Sequence, residues 1–202
     1  MTVSTIGVAD ADVVDKYLHT NQRTISSTAR EDQYVLPGEG AYPTYSALAV
    51  SISIGTANAH VLQIMGDGSN YTRIKRITMT PTSDLPAAVS NARFRLVRLS
   101  TAGTGGSSVT PAPFDSADTY GGGSMTLPSS KGTTGAILLN WRMTFPTAYG
   151  ASQYTYAWEQ KPGMKPIICG TATSNGLAIE VMDATTSCAV DATIEFITTS
   201  YL

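Results

Sequence analysis

The sequence predicts an all-β protein, an antiparallel jelly-roll-like β-sandwich with an extended N-terminal arm. Apolar and polar residues alternate with period two in several segments, and Gly, Pro, Asn and Asp separate these segments. Only 14% of the 202 residues are charged, against about a quarter in an ordinary globular domain. Ser, Thr, Ala and Gly take their place, and a surface of this kind is poorly protected from association. We therefore expect much of the surface to be covered by partners in an assembly.

Residues 1–45 differ in composition from the rest and predict an extended arm. They contain six of the fifteen acidic residues: Asp10, Asp12, Asp15, Glu31, Asp32 and Glu39. Apolar residues are sparse there, apart from a short patch over 13–18 at helical spacing, which Asp10 or Asp12 could cap. We expect at most one short helix in this arm.

Residues 46–202 predict one sandwich domain. In the first strand, Leu48, Val50, Ile52 and Ile54 share one face, and the small residues between them share the other, so the strand is predicted to be half-buried. Eight or nine short strands of this kind suggest two packed antiparallel layers. The predicted strands are 48–54, 60–65, 71–80, 91–100, 136–145, 154–159, 166–169, 177–181 and 188–198.

Residues 101–135 predict a long loop, rich in Gly and with three prolines. Loops of this length within a compact domain are usually functional or mobile. Its glycines lack the dinucleotide fingerprint, and Lys131-Gly132-Thr133 has the wrong order for a phosphate-binding loop. We expect turn-forming glycines and no cofactor.

Cys169 and Cys188 are the only cysteines, and their spacing is not that of a zinc site. Two buried thiols are the favoured interpretation, and a disulfide between neighbouring C-terminal strands is the alternative. The N-terminus lacks the features of a signal peptide and no apolar run is long enough to span a membrane. We expect a protein that is made and used in a cytoplasm, or that is assembled there into a particle that leaves, without a membrane partner.

Residues that could support catalysis are scattered. His19 and His60 are isolated, and no nucleophile-elbow motif accompanies them. An acid pair for glycoside hydrolysis would have to come from the C-terminal half, where Glu180 and Glu195 lie in strand-like segments. We predict a non-enzymatic protein that holds no metal.

Six of the thirteen basic residues fall within two predicted strands. If those strands pair, their bases could form a patch that docks an acidic partner, such as the arm of a neighbouring subunit. A solvated sheet face is the alternative. Nucleic-acid binding is not expected, because stacking aromatics are not interleaved with the bases and the net charge is -2. The docking candidates are Arg73, Lys75, Arg76, Arg93, Arg95 and Arg98.

Six aromatic residues cluster late in the chain, and most should pack in the core. The segment 149–154 could instead form an exposed loop suited to carbohydrate or protein contact. The six are Trp141, Phe145, Tyr149, Tyr154, Tyr156 and Trp158.

The phrases FRLVRLSTAGTGG (94–106), TPAPFDSAD (110–118) and MTLP…KGT (125–133) resemble a group of virion structural proteins of tailed bacteriophages. The resemblance covers roughly residues 60–145 and transfers no functional residue. It implies a decoration or auxiliary protein that binds the major capsid protein or other virion subunits, or a minor tail component. An arm that crosses neighbours suits this role, and a closed homo-oligomer, with a trimer favoured, is expected.

Two rival functions stay open. One is a tail module that binds a receptor or carbohydrate through the 101–135 loop and the late aromatics. The other is a glycan-degrading jelly-roll enzyme.

Overall fold

The structure is a computed structural model that divides the chain into two units, Met1–Ala41 and Tyr42–Leu202. The boundary lies four residues before the one predicted from composition. The described residues are 3–8, 16–25, 28–34, 42–82, 90–145, 147, 155–183 and 188–200.

The N-terminal unit contains a three-stranded antiparallel sheet in the order β1-β2-β3. Its strands are β1 (Val3–Val8), β2 (Lys16–Ile25) and β3 (Thr28–Tyr34). The short helix expected over 13–18 is not formed at Tyr17 and Leu18, which lie in β2, and 9–15 lie outside the described residues. A patch of six residues is too short to sustain a helix alone, whereas two flanking strands supply backbone partners along β2. This unit is a small sheet rather than a single extended arm.

The described residues of the second unit form twelve strands, and the nine strands predicted from periodicity are all among them. Three short strands, β8, β9 and β10, lie within the segment predicted as a long loop. The strands are β4 (Thr44–Ser53), β5 (His60–Met65), β6 (Tyr71–Pro81), β7 (Ser90–Leu99), β8 (Ser107–Ser108), β9 (Ala112–Pro113), β10 (Met125–Leu127), β11 (Thr134–Phe145), β12 (Tyr156–Glu159), β13 (Ile167–Cys169), β14 (Gly176–Val181) and β15 (Ala189–Thr199).

These strands form two antiparallel sheets packed face to face, which confirms the predicted all-β sandwich. Sheet I has the order β11-β7-β14-β5-β10-β8, and sheet II has the order β12-β6-β15-β4-β9, with β13 also paired to β6. Four antiparallel pairings are nested in sequence, each lying between the two strands of the one before: β4 with β15, β5 with β14, β6 with β12 and β7 with β11. The finer prediction of a jelly roll stays a prediction.

The core lies between the two sheets and its aromatic side chains connect them. Trp141 of sheet I stacks on Tyr156 of sheet II, with ring centroids 4.3 Å apart and planes 5° from parallel. Phe94 stacks on the same indole at 6.0 Å. Burying a side chain of this size contributes about 1.5–3 kcal/mol. The core interpretation is confirmed for Trp141, Tyr156 and the buried Phe145, while Tyr149 and Tyr154 lie outside the described residues.

Strand β4 presents the opposite face to the core from the one that its larger apolar residues suggest. Tyr45, Ala47 and Ala49 are buried, whereas Leu48 is 51% and Val50 is 56% exposed. Tyr45 and Phe196 stack at 5.7 Å and fill the space next to the alanines. The prediction for Leu48 and Val50 was therefore wrong, because packing against sheet I, rather than side-chain size, decides which face turns inward.

A β-bulge restores the expected orientation at the end of β4. The register shifts where β4 passes Asp191 of β15, and Ser51 adopts a left-handed φ of 52°. The Asp191 carboxylate accepts a hydrogen bond from the Ser51 amide at 2.7 Å. Beyond the bulge Ile54 is buried, as predicted.

Candidate interaction surfaces

The six basic docking candidates do not form the predicted patch, because their two strands do not pair. Strand β6, with Arg73, Lys75 and Arg76, lies in sheet II, and β7 lies in sheet I. The strands from β4 to β7 alternate between the two sheets, so β6 and β7 lie on different sheets although they are consecutive in sequence. The prediction of a basic patch formed by β6–β7 pairing is therefore wrong.

Most of these bases have acceptors within the chain. Arg93 makes two hydrogen bonds to the Asp183 carboxylate at 2.9 and 3.0 Å, and Arg76 lies 3.9 Å from Glu195. Lys75 donates to the Gln160 side-chain oxygen at 3.1 Å, and Arg98 donates to the Ile168 carbonyl. Arg73 is half-buried in β6. Docking through these side chains, which stays a prediction, would compete with the local contacts.

The remaining candidate, Arg95, is half-buried and belongs to a row of polar residues on sheet I whose other members are buried. Arg95 of β7, Glu180 of β14 and His60 of β5 occupy neighbouring cross-strand positions. The Glu180 side chain is 0% exposed and accepts from Arg95 Nε at 2.7 Å and from Lys131 Nζ at 3.3 Å. A buried carboxylate is tolerated only when its charge is compensated in this way.

His60 completes the row and is itself buried. Neither of its ring nitrogens has a hydrogen-bond partner within the described part of the chain. Burial lowers the pKa of His60, the neighbouring Glu180 carboxylate opposes that shift, and the Lys131 and Arg95 charges reinforce it. The imidazole is therefore held in its neutral form at neutral pH.

Residues 101–133, which we name the covering segment, supply β8 and β10 to the edge of sheet I and β9 to sheet II, and they also contact Gln63 and Glu180 on this face of sheet I. The Gln63 amide donates to Thr126 at 2.6 Å and to the Gly103 carbonyl at 3.3 Å, and Gln63 Oε1 accepts from the Gly103 amide at 2.9 Å. Thr104 and Ser130 exchange backbone hydrogen bonds across the segment. The predicted long loop is thus packed against the sheet by specific contacts.

Two glycines allow the backbone of this segment to pack closely against neighbouring backbone. A Cβ on Gly123 would lie 1.6 Å from the Met65 carbonyl oxygen, and one on Gly106, whose φ is 80°, would lie 1.9 Å from that of Leu127. Only glycine permits these distances, which explains part of the glycine content of the segment.

An open groove of about 570 Å³ lies beside the end of β14, and Arg98, Lys165 and Asn175 are among its lining residues. Cys169 of the neighbouring β13 is buried, and burial raises the pKa of its thiol to about 11. Cys169 and Cys188 are both buried and reduced, as the favoured interpretation predicted. A thiol of this pKa is a poor nucleophile at neutral pH.

Of the C-terminal acids available for glycoside hydrolysis, the two that lie in predicted strands, Glu180 and Glu195, are on different sheets. Glu180 lies in sheet I and is bound by Arg95 and Lys131, whereas Glu195 lies in sheet II. The described residues contain no group of three or more His, Cys, Asp and Glu side chains that could hold a metal ion. His19 lies in β2 of the other unit.

The surface feature that sequence reasoning missed is a bare apolar strand edge. Within the described residues, β9 pairs with β4 only at Tyr45 and Ser46, and no other strand covers that side of β4. Leu48 and Val50 stand exposed just beyond the end of β9. The absence of any charge in Thr44–Ser53 was the available signal, since exposed edge strands usually carry charges.

Comparison with known proteins found no matching family, no matching curated protein and no matching solved structure. No helix among the described residues is long and apolar enough to cross a membrane. The fold therefore defines a class, a two-sheet antiparallel β-sandwich with a separate N-terminal unit, and the function rests on the chain's own features.

Proposed function

We propose that the protein is a non-enzymatic structural subunit of a tailed-phage virion, a decoration or auxiliary protein that binds and stabilises the capsid shell. The strand order is the observation that carries this proposal. Strands β12-β6-β15-β4 of sheet II face strands β11-β7-β14-β5 of sheet I. This order, with its nested antiparallel pairs, is the one expected of an eight-stranded jelly roll, an architecture used by viral capsid domains and lectins.

A fold alone does not give a function, and two further features favour a subunit of an assembly. The surface has few charges to repel a neighbour, and part of the apolar surface lies on the bare edge of β4. The N-terminal unit is separate from the sandwich and has its own small sheet. A second attachment element on one chain gives avidity when it is repeated over a lattice.

Particle binding tests the proposal. Phage particles produced without this protein would be mixed with the purified full-length chain or with a variant that lacks residues 1–41, and cosedimentation would be measured. We expect the full-length chain to cosediment and the truncated chain, still folded by circular dichroism, to lose most binding. Failure of the full-length chain to bind, or full binding by the truncated chain, would contradict the proposal.

The same assay tests the predicted basic docking surface. Arg76 and Arg93 are the two exposed members of the set. The double variant Arg76→Glu/Arg93→Glu should reduce cosedimentation if these bases contact an acidic shell surface. Unchanged binding would mean that these two arginines belong to a solvated sheet face and contact no partner.

A second candidate function is a tail module that binds carbohydrate, and the groove favours it. Lys165 and Arg98 line a concave surface that would suit an anionic sugar. A glycan array with the full-length chain would show binding that Lys165→Glu removes. No binding on such an array would remove this candidate.

A further inference from the structure

We propose that the two ends of the covering segment, 101–104 and 129–133, form a strap that protonation of His60 releases from sheet I, so that mild acid uncovers this face of the sheet. A charged contact holds the strap, because Lys131 binds the buried carboxylate of Glu180. His60 lies in the same row as that carboxylate. Such a device needs a buried base without a partner, a carboxylate whose positive neighbours compete, and a link along the strap.

His60 is the buried base. It is 4% exposed, and neither ring nitrogen has a hydrogen-bond partner in the part of the chain that the structure describes. A buried polar side chain normally has at least one such partner. The neutral imidazole therefore gains no hydrogen bond from the described residues around it. Its cross-strand neighbour Glu180 offers an acceptor to the imidazolium.

The Glu180 carboxylate already serves two cations, and the imidazolium would be the third. Arg95 Nε lies 2.7 Å from one carboxylate oxygen, and Lys131 Nζ lies 3.3 Å from the other. The Arg95 side chain is 20% exposed on the central strand β7, whereas the Lys131 side chain is 43% exposed on the strap. Because the Lys131 contact is longer and closer to water, the ammonium is the group that leaves when His60 gains a proton.

Release of Lys131 reaches the rest of the strap through backbone hydrogen bonds. Ser130, next in the chain, exchanges two of them with Thr104, at 2.9 and 3.0 Å. The neighbouring Gly103 binds Gln63 of β5, to which its amide donates at 2.9 Å and from which its carbonyl accepts at 3.3 Å. Each neutral hydrogen bond contributes only about 0.5–1.5 kcal/mol, so loss of the charged contact shifts the balance toward release.

Proton linkage gives the direction of the effect. In the closed state, burial lowers the pKa of His60, Glu180 of β14 opposes that shift, and Lys131 of the strap and Arg95 of β7 reinforce it. Release admits water and removes Lys131, so the pKa returns toward about 6.5. The open state therefore binds the proton more tightly, and acid favours it. One proton changes the opening equilibrium by at most about thirtyfold between pH 6.5 and pH 5.

Amide hydrogen exchange of the purified full-length chain at pH 7 and pH 5 tests the strap without phage particles, so its result is independent of the proposed virion function. Each rate is divided by that of an unstructured peptide at the same pH. Protection of the Gly103 amide should fall by about three- to thirtyfold. Ile194 of β15, which pairs with strands on both sides, should keep its protection. An unchanged Gly103, or an equal fall at Ile194, would overturn the proposal.

The two histidines of the chain supply a matched pair of variants. His60→Gln cannot take the proton, so protection of the Gly103 amide should be the same at both pH values. His19→Gln alters the other unit and should respond to acid as the wild-type chain does. A full response in His60→Gln, or a lost response in His19→Gln, would overturn the proposal.

A third variant tests the link even if His60→Gln does not fold. Lys131 is exposed, so Lys131→Met should fold and should leave the strap without its charged contact. Protection of the Gly103 amide should then be low already at pH 7 and should change little at pH 5. Wild-type protection at pH 7 with a wild-type fall at pH 5 would overturn release through Lys131.

Discussion

The covered face of sheet I and the bare edge of sheet II invert the usual placement of polar and apolar residues. On sheet I the carboxylate of Glu180 is fully buried, between Arg95 and the covering segment. On sheet II, Leu48 and Val50 stand in solvent although they belong to a strand with alternating apolar residues. The contrast places a fully buried carboxylate on sheet I and two exposed apolar side chains on sheet II.

The largest effect should come from removing the buried carboxylate. Glu180→Ala leaves the Arg95 and Lys131 charges without their partner, and we expect a loss of about 3–5 kcal/mol in the free energy of unfolding. Asp183→Ala is a matched control, because it also breaks an arginine–carboxylate pair, but an exposed one. Urea unfolding of the two variants gives the comparison. Equal losses would mean that burial of Glu180 contributes nothing.

A single glycine substitution should disrupt the packing of the covering segment against β5. In Gly123→Ala the added methyl group would collide with the Met65 carbonyl, and we expect a loss of about 1–3 kcal/mol in stability. Gly121→Ala, two residues away, meets nothing within 4 Å and should cost much less. Thermal unfolding of the pair measures the difference. If Gly123→Ala left the stability unchanged, the covering segment would not pack closely against β5.

Most contacts on the covered face of sheet I could not be predicted from the sequence. The strands themselves were predicted, because alternation reports which residues can share a face. Their partners were not, since nothing in β6 or β7 states that they lie in different sheets. The basic patch failed for this reason. The row of Arg95, Glu180 and His60 comes from three separate parts of the chain and needs the pairing of β7, β14 and β5 to become visible.

The exposed edge could have been predicted only in part. The lack of charge in Thr44–Ser53 was visible in the sequence, but alternation alone suggested that Leu48 and Val50 belonged to the core. Tyr45, two positions before the alanines, fills that space instead, and the bulge at Ser51 changes the phase of the strand. Period-two alternation indicates neither which large side chain fills the space beside the alanines nor where a bulge occurs.

Acid should loosen the covered face before it affects the bare edge. Burial lowers the pKa of His60 in the folded state, so below about pH 6.5 the unfolded chain binds more protons. The contribution of neutral His60 to stability is complete above that pH and is lost as the pH falls toward the folded-state pKa, by at most about 1.4 kcal/mol per pH unit.

Chemical unfolding between pH 7 and 5 measures this slope. His60→Gln should flatten it, whatever its effect on stability at pH 7. The groups that face His60 are Glu180, Lys131 and Arg95. A slope that is identical in the variant would assign the acid sensitivity to other groups.

The smallest effect should appear at the bulge that ends the bare edge. Ser51 has a φ of 52°, a conformation that glycine adopts without strain, so Ser51→Gly should raise the stability by up to about 1 kcal/mol. Ser53→Gly, at an exposed β4 position without a positive φ, should instead lower the stability by about 0.5–1 kcal/mol. Shifts of the same sign in both variants would contradict the bulge geometry.

Amide hydrogen exchange of the full-length chain, followed by NMR at low protein concentration, tests most directly the claim that β4 has one side paired with β15 and one bare side. At low concentration the amides of Ala47 and Ala49, which face β15, should be protected, and those of Leu48 and Val50 should exchange rapidly. The amides of the covered strands β5 and β14, which pair with each other, should also be protected. Equal protection of all four β4 amides, or rapid exchange at Ala47 and Ala49, would contradict the account.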